Sequence, residues 1–269
     1  MLRSIALLLL LLMSSSACYA ADNDGLTVIG ETTSGIKRLA GESADLLTTP
    51  FRIENGNILI TLGVVGATSL VYIFDRDIQQ KLQSNKSSGL DKSSDAGALA
   101  GNPFIHLGLA ALVYGTAIAA DSPKWKETGE MMGEALILAD ASTFILKEAV
   151  GRGRPTTTDS KNDFKPFGFK SDYDSFPSMH TSSSFALASI LAATSDSILA
   201  KMGYYAAATF VGFSRMYQNK HWASDIVFGA ALGELCGRIV IGYHASGSKF
   251  TLAPQAYENG AGLALAGKW

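Results

Sequence analysis

The polar motifs of this chain sit where its apolar helices end, and that arrangement restricts the fold more than any other feature. Six segments of helical character, at 57–75, 103–120, 130–149, 178–197, 200–214 and 222–246, are rich in Ala, Leu, Ile and Met with small residues interleaved. Lys147 to Arg154-Pro155 closes the third segment, and Phe176-Pro177-Ser178-Met179-His180 opens the fourth. Ser214-Arg215 closes the fifth, and His221 with Asp225 opens the sixth. If successive helices run antiparallel, those four helix ends share one end of a bundle. Residues far apart in the chain then reach one pocket without a special loop. The fold class this predicts is all-α, a six-helix bundle.

Each of these residues has an ordinary structural explanation when taken alone. Lys147 and Arg154 complement the dipole at a helix C-terminus, Pro155 stops the helix, and Ser178 suits an N-cap. His221 and Asp225, four apart, share a helical face, as any polar pair does. Their conjunction is what carries chemistry. Three cations, a hydroxyl and two imidazoles, one with a carboxylate four residues on, are what is needed to bind a phosphate-sized oxyanion and attack it with a histidine. His106 and His244 lack a partner pattern and read as structural, while Glu234 and Arg238 form an i,i+4 pair.

Composition limits the alternatives. An apolar content of 47% exceeds that of a disordered chain. A net charge of -2, without a Lys/Arg run, gives no footprint for nucleic acid. Residues 1–20 read as a secretory signal, with Arg3 at the start, an apolar run from Ile5 to Met13 and Cys18-Tyr19-Ala20 before the cleavage point, so the chain is expected to be exported to the periplasm. Acylation of Cys18 is the weaker reading, because Ser15 stands where a Leu is usual. Cleavage after Ala20 leaves Cys236 as the remaining cysteine, a buried thiol with no internal disulfide.

Residues 21–56 form a loosely structured lead with a short helix near Ser43 to Leu47, 57–249 the helical domain, and 250–269 a β-hairpin turning at Glu258-Asn259-Gly260. Residues 76–101 read as a polar loop. Residues 156–175 place Lys161, Lys165 and Lys170 among Phe164, Phe167, Phe169 and Tyr173.

Lys147 to Arg154-Pro155, Pro177-Ser178-Met179-His180, and Ser214-Arg215 to His221 to Asp225 resemble the three-part signature of the phosphatidic acid phosphatase type 2 and haloperoxidase superfamily, with both spacings intact. The resemblance covers residues 57–246. It implies a phosphatase in which His221 forms a phosphohistidine and Asp225 holds the other ring nitrogen of His221. His180 protonates the leaving oxygen and then activates water. Lys147, Arg154, Arg215, Ser178 and the Met179 N–H cradle the phosphate oxygens. It implies no cofactor, and no His/Cys/Asp cluster with metal spacing occurs in the sequence. Met179 departs from the family's usual Gly, which crowds the rim of the pocket and bears on substrate size.

The aromatic and lysine loop points to an amphiphilic or lipid-linked phosphate substrate. A vanadate-dependent haloperoxidase and a non-catalytic phosphate- or lipid-binding module stay open as alternatives. Only 57–74 and 102–120 are uncharged for close to a bilayer's thickness, and the later helices carry Glu134, Asp140, Asp225, Glu234 and Arg238. Charges within a span are costly, so the expectation is a soluble or peripherally attached globule rather than an integral membrane protein.

Overall fold

A computed structural model describes residues 25–53, 57–247, 251–257 and 260–266. The signal reading of residues 1–20 and the turn residues Glu258 and Asn259 lie outside these. The described residues divide at Gly41/Glu42, and the larger unit runs from Glu42 onward.

Eight α-helices occur among the described residues: α1 Gly25–Thr48, α2 Asn57–Ser84, α3 Ser88–Ala100, α4 Pro103–Ala119, α5 Pro123–Val150, α6 Met179–Thr194, α7 Ile198–Tyr217 and α8 Ala223–Gly247. The class is helical as expected, but the count of six is corrected. α1 replaces most of the loosely structured lead. The polar loop expected at 76–101 is the last turns of α2 followed by all of α3. Its serines mislead because they act locally: the Ser87 side chain caps α3 by accepting the Leu90 N–H at 3.4 Å, and Ser94 is buried. Beyond the helices, β1 Thr251–Tyr257 pairs antiparallel with β2 Gly260–Ala266, Thr251 opposite Ala266 and Tyr257 opposite Gly260.

Helix starts follow local chemistry. Asn102 accepts the Phe104 N–H at 2.9 Å, with Pro103 in the first turn of α4. α5 likewise begins on Pro123. α5 stops at Gly151, whose φ of 59° is left-handed and whose N–H returns to the Lys147 carbonyl at 2.8 Å. A side chain at Gly151 would also collide with the backbone of Lys165. This glycine therefore fixes the direction in which the chain leaves for Arg152 and Arg154.

The core lies among α5, α6 and α8, from Met132, Ala135, Leu136 and Ala139 to Ala186 and Ile190 and to Leu232, Cys236 and Val240. α6 and α8 meet along a seam of small residues. Cβ atoms added at Gly229, Gly233 or Gly237 would strike Ser178, Ser182 or Ser189, so the two backbones approach as closely as glycine permits. The four-residue spacing of these glycines was visible in the sequence, although it went unused there. Cys236 is fully buried, and Arg238 Nε pairs with Glu234 Oε1 at 2.7 Å, as the i,i+4 spacing suggested.

The outer surface is apolar. Leu59, Ile60, Leu62, Leu112, Ile145, Leu199 and Met202 are each 60% or more exposed. So many large apolar side chains left exposed mark surface that meets something other than water. α2 and Ala223–Ala245 of α8 are long and apolar enough to cross a membrane, and α3 with α4, bent by 52°, would form a third candidate if taken as one span. None of the apolar window of α2 is buried. The chain is thus membrane-associated, and the expected soluble globule gives way to this. Of the charges on α8, Asp225 lies at the helix start, fully buried, and Glu234 pairs with Arg238.

Candidate active site

The parity argument is met at the end of the bundle where α5 and α7 finish and α6 and α8 begin. The Ser178 N–H donates to the Asp225 carbonyl at 3.2 Å, joining the starts of α6 and α8. Trp222 Nε1 donates to the Gly153 carbonyl at 2.9 Å, joining the start of α8 to the segment that follows α5. Lys147, Ser178, Arg215, His221 and Asp225 are all buried there, and His180 and Met179 are half-buried.

His221 is set with its two nitrogens in different roles. Nδ1 lies 2.7 Å from the Ser175 carbonyl. A carbonyl only accepts, so Nδ1 carries the proton and Nε2 of the neutral ring keeps its lone pair. The expectation that Asp225 itself holds this nitrogen is corrected: its nearest oxygen is 3.7 Å away. The Asp225 carboxylate accepts from Ser175 Oγ at 2.6 Å, the Trp222 N–H at 2.9 Å and Arg152 Nη1 at 2.6 Å. It therefore acts on the imidazole through Ser175.

The cations surround this ring. Burial first, then the positive charges of Lys147, Arg154 and Arg215 and the neighbouring His180, hold His221 well below the ordinary imidazole range. His180 is pushed down to about 3 by burial and then by Arg215, Lys147 and Arg154. The same three cations thus act on both rings, although they arrive from α5, the segment after it and α7. Arg215 is held at one end by Gln218 Oε1 at 2.7 Å, and its buried Nε has no hydrogen-bond partner among the described residues.

Arg154 already grips a carboxylate. It binds Asp174 as a fork, Nε to Oδ1 at 2.6 Å and Nη2 to Oδ2 at 2.9 Å, and Lys147 Nζ donates to the Asp174 carbonyl. Burial opposes ionisation of Asp174, but its hydrogen bonds with Arg154 and the charges of Lys147, Arg154 and His221 outweigh that and keep its carboxyl below the usual range. Asp174 and Ser175 are the residues that sequence reasoning missed. Their signal was slight, a polar pair directly before Phe176-Pro177.

Met179 is the first residue of α6, and Ser178 precedes it as N-cap without a side-chain cap bond. Ser178 Oγ accepts instead from Thr181 Oγ1 at 3.0 Å. Met179 is absent from the non-glycine positions with positive φ, which are Asp121, Phe167, Phe169 and Asn219. Replacing the usual Gly therefore strains nothing in the backbone, and the first N–H groups of α6 keep the orientation that favours anions. His106 and His244, read as structural, pair with Ser183 Oγ at 3.0 Å and Glu134 Oε2 at 2.7 Å.

The bundle gathers two imidazoles and three cations at one end, as the resemblance to the phosphatidic acid phosphatase type 2 signature implies. Residues 131–247 match the model of the PAP2 superfamily. Among its relatives, the lipid A 1-phosphatase of Porphyromonas gingivalis is 43% identical over 68 residues, which is 24% of this chain and 15% of that protein. The lipid A 1-phosphatase of Rhizobium etli is 30% identical over 119 residues, 42% of this chain and 49% of that one. The chain thus spans about half the length of these curated relatives or less. Among solved structures, the transmembrane PAP2 type phosphatidylglycerolphosphate phosphatase of Bacillus subtilis is similar with a TM-score of 0.52 at 18% identity, covering 69% of this chain and 96% of that one. That likeness concerns the fold.

Proposed function

We propose that this chain is a membrane-associated phosphatase that hydrolyses phosphate monoesters or diphosphates carried by lipids, through a phosphohistidine on His221. The observation that carries the reading is the orientation of His221: with Nδ1–H on the Ser175 carbonyl, Nε2 is the nucleophile, and it lies within the influence of Lys147, Arg154 and Arg215. The lipid preference is supported by the apolar outer helices and by the names of the two relatives. The helical domain from 57 to 249 is proposed as the catalytic unit, exported and facing the periplasm.

In the first step Nε2 attacks phosphorus, the ester P–O bond breaks with its electron pair on the leaving oxygen, and His180 supplies the proton that oxygen takes. In the second step His180 removes a proton from water, the water oxygen attacks phosphorus, and the P–N bond breaks to return a neutral His221 and free phosphate. Charge spread over the equatorial oxygens is stabilised by Lys147, Arg154, Arg215 and the N–H groups at the start of α6. Their fixed positive charge does the work that a metal does in other phosphatases.

His180 must gain the proton it donates, and burial among cations opposes that before substrate arrives. The cations Lys147, Arg152, Arg154 and Arg215 outnumber by one the carboxylates Asp174, Asp225 and Asp75, the last of which pairs with Arg152 at 2.8 Å. A dianionic phosphate reverses the sign of the site and draws a proton onto His180.

The test is phosphate release by purified protein from phosphorylated lipid A, phosphatidate, polyprenyl diphosphate and small sugar phosphates, in excess chelator. Wild type should turn over a lipid-linked member of the panel, and His221→Ala should lose about a thousandfold or more. Activity that disappears with chelator, or survives the substitution, overturns the reading.

A further inference from the structure

α2 is a lipid-facing helix with one buried residue, and that residue is Asp75. A fully buried carboxylate on such a helix needs partners, and Asp75 has three. Its Oδ1 accepts the Ser224 N–H at 2.8 Å, and its Oδ2 accepts Ser224 Oγ at 2.5 Å and Arg152 Nη2 at 2.8 Å. Ser224 is the immediate neighbour of Asp225.

Arg152 is the second member of this network, and it is 1% exposed. Nη2 takes Asp75, while Nη1 takes Asp225 Oδ1 at 2.6 Å and Ser224 Oγ at 2.8 Å. Nε and Nη2 also reach the Lys161 carbonyl, at 3.3 and 3.2 Å. The guanidinium lies against the rings of Tyr72 and Trp222, with its centre 4.7 and 5.4 Å from their centroids. A planar, permanently charged fork suits a site that must hold two carboxylates at a fixed angle.

The network ends at the nucleophile. Arg152 fixes Asp225 with its side chain, and its carbonyl accepts the Ser175 N–H at 3.0 Å. Asp225 accepts Ser175 Oγ at 2.6 Å. Ser175 is thereby held from both sides, and its carbonyl is what orients His221. Each link is a hydrogen bond between groups closed off from water, where such bonds are strongest and a missing partner is most costly.

We infer that Asp75 and Arg152 are positioning residues for the catalytic imidazole, so that the outermost helix contributes one side chain to the alignment of His221. Neither residue touches the phosphate site, and both act through Asp225 and Ser175. The inference rests on the proposed role of His221 and is tested so that the two can fail separately.

The experiment uses the full chain in detergent micelles and compares wild type, Asp75→Asn and Ser224→Ala, with three readouts: kcat and KM on the best lipid phosphate, inhibition by inorganic phosphate, and the Nδ1–H proton resonance of His221 in ¹⁵N-histidine-labelled protein. Asp75→Asn should lower kcat by about 10- to 100-fold, the usual range for residues behind a ligand or nucleophile. KM and phosphate inhibition should stay within about twofold, and the His221 resonance should move or broaden. Ser224→Ala, which removes a single hydroxyl, should lower kcat a few-fold and covers the case in which Asp75→Asn does not fold. Unchanged kcat and resonance in both variants overturn the inference, as does a loss of kcat and phosphate binding in the same proportion. If wild type releases no phosphate, the functional reading fails, and the resonance alone then decides whether Asp75 orients the ring.

Discussion

The two halves of α2 are held by different means. Its first half turns Leu59, Ile60, Leu62 and Val65 outward, each at least half exposed. Its second half docks one face through Tyr72, Asp75, Gln79 and Gln83, residues at helical spacing. Tyr72 Oη donates to Asn162 at 2.5 Å, Gln79 Nε2 to Asn219 at 2.8 Å and Gln83 Nε2 to the Tyr217 carbonyl at 3.2 Å, and Asp75 binds Arg152 and Ser224. Apolar side chains gain little by leaving hydrocarbon for protein, so in a bilayer they do not specify where a helix docks. Polar side chains do, because hydrocarbon offers them no partner. The half of α2 that resembles a soluble helix therefore decides its position, and the half that resembles a membrane span supplies its solvent.

Breaking the polar half should cost most. Arg152→Met leaves Asp75 and Asp225 buried without their shared cation and should destabilise the protein by about 3–5 kcal/mol in detergent melts. A loss under about 1 kcal/mol would show that α2 docks by other means. Next comes the seam between α6 and α8, where glycines bring the two helices into close contact. Gly233→Ala places a methyl against the Ser182 carbonyl and should cost about 1–3 kcal/mol in the same melts; a neutral result would mean that the helices separate freely.

A subtler effect concerns charge. His221 is held below its ordinary 6.5 by burial and by three cations. It is therefore neutral at neutral pH, and on the proposed mechanism the acid limb of kcat/KM falls below 6.5. Arg215→Gln removes one repelling charge, so His221 takes a proton more readily and the limb should move up by as much as about one pH unit. A limb that stays in place or moves down would refute that coupling. The smallest effect belongs to the apolar half. Ile60→Ser with Leu62→Ser should change the detergent melt by less than about 0.5 kcal/mol per site, and a larger loss would mean that this half packs on protein after all.

The sequence displayed the reacting groups more readily than their supports, for a physical reason. Lys147, Arg154, Ser178, His180, Arg215, His221 and Asp225 stand at helix ends at fixed spacings, and antiparallel packing alone unites them. Asp174, Ser175, Arg152 and Asp75 each have an ordinary reading in their own stretch of sequence, and only tertiary contact gives them a purpose. Arg152, two residues before Arg154, has nothing in its own stretch of sequence to mark it. Asp75 passed as the last residue of the helical segment 57–75, although a carboxylate directly after eighteen uncharged residues, 57–74, is the sort of position where a buried partner should be sought. α3 was hidden by the serines that cap and pack it. The preference for a soluble or peripherally attached globule came from counting charges along helices without regard to their depth or partners.

The glycine seam has one more implication. Side chains at an ordinary helix contact can switch rotamer and absorb a small displacement, but backbone pressed on backbone has no such slack. The helix that begins at Met179 and the helix that begins at Ala223 are therefore registered to each other by main-chain geometry. The spacing of His180 from His221 inherits that registration, so a bilayer that thickens, thins or bends around the bundle leaves it unchanged as long as the seam stays in contact.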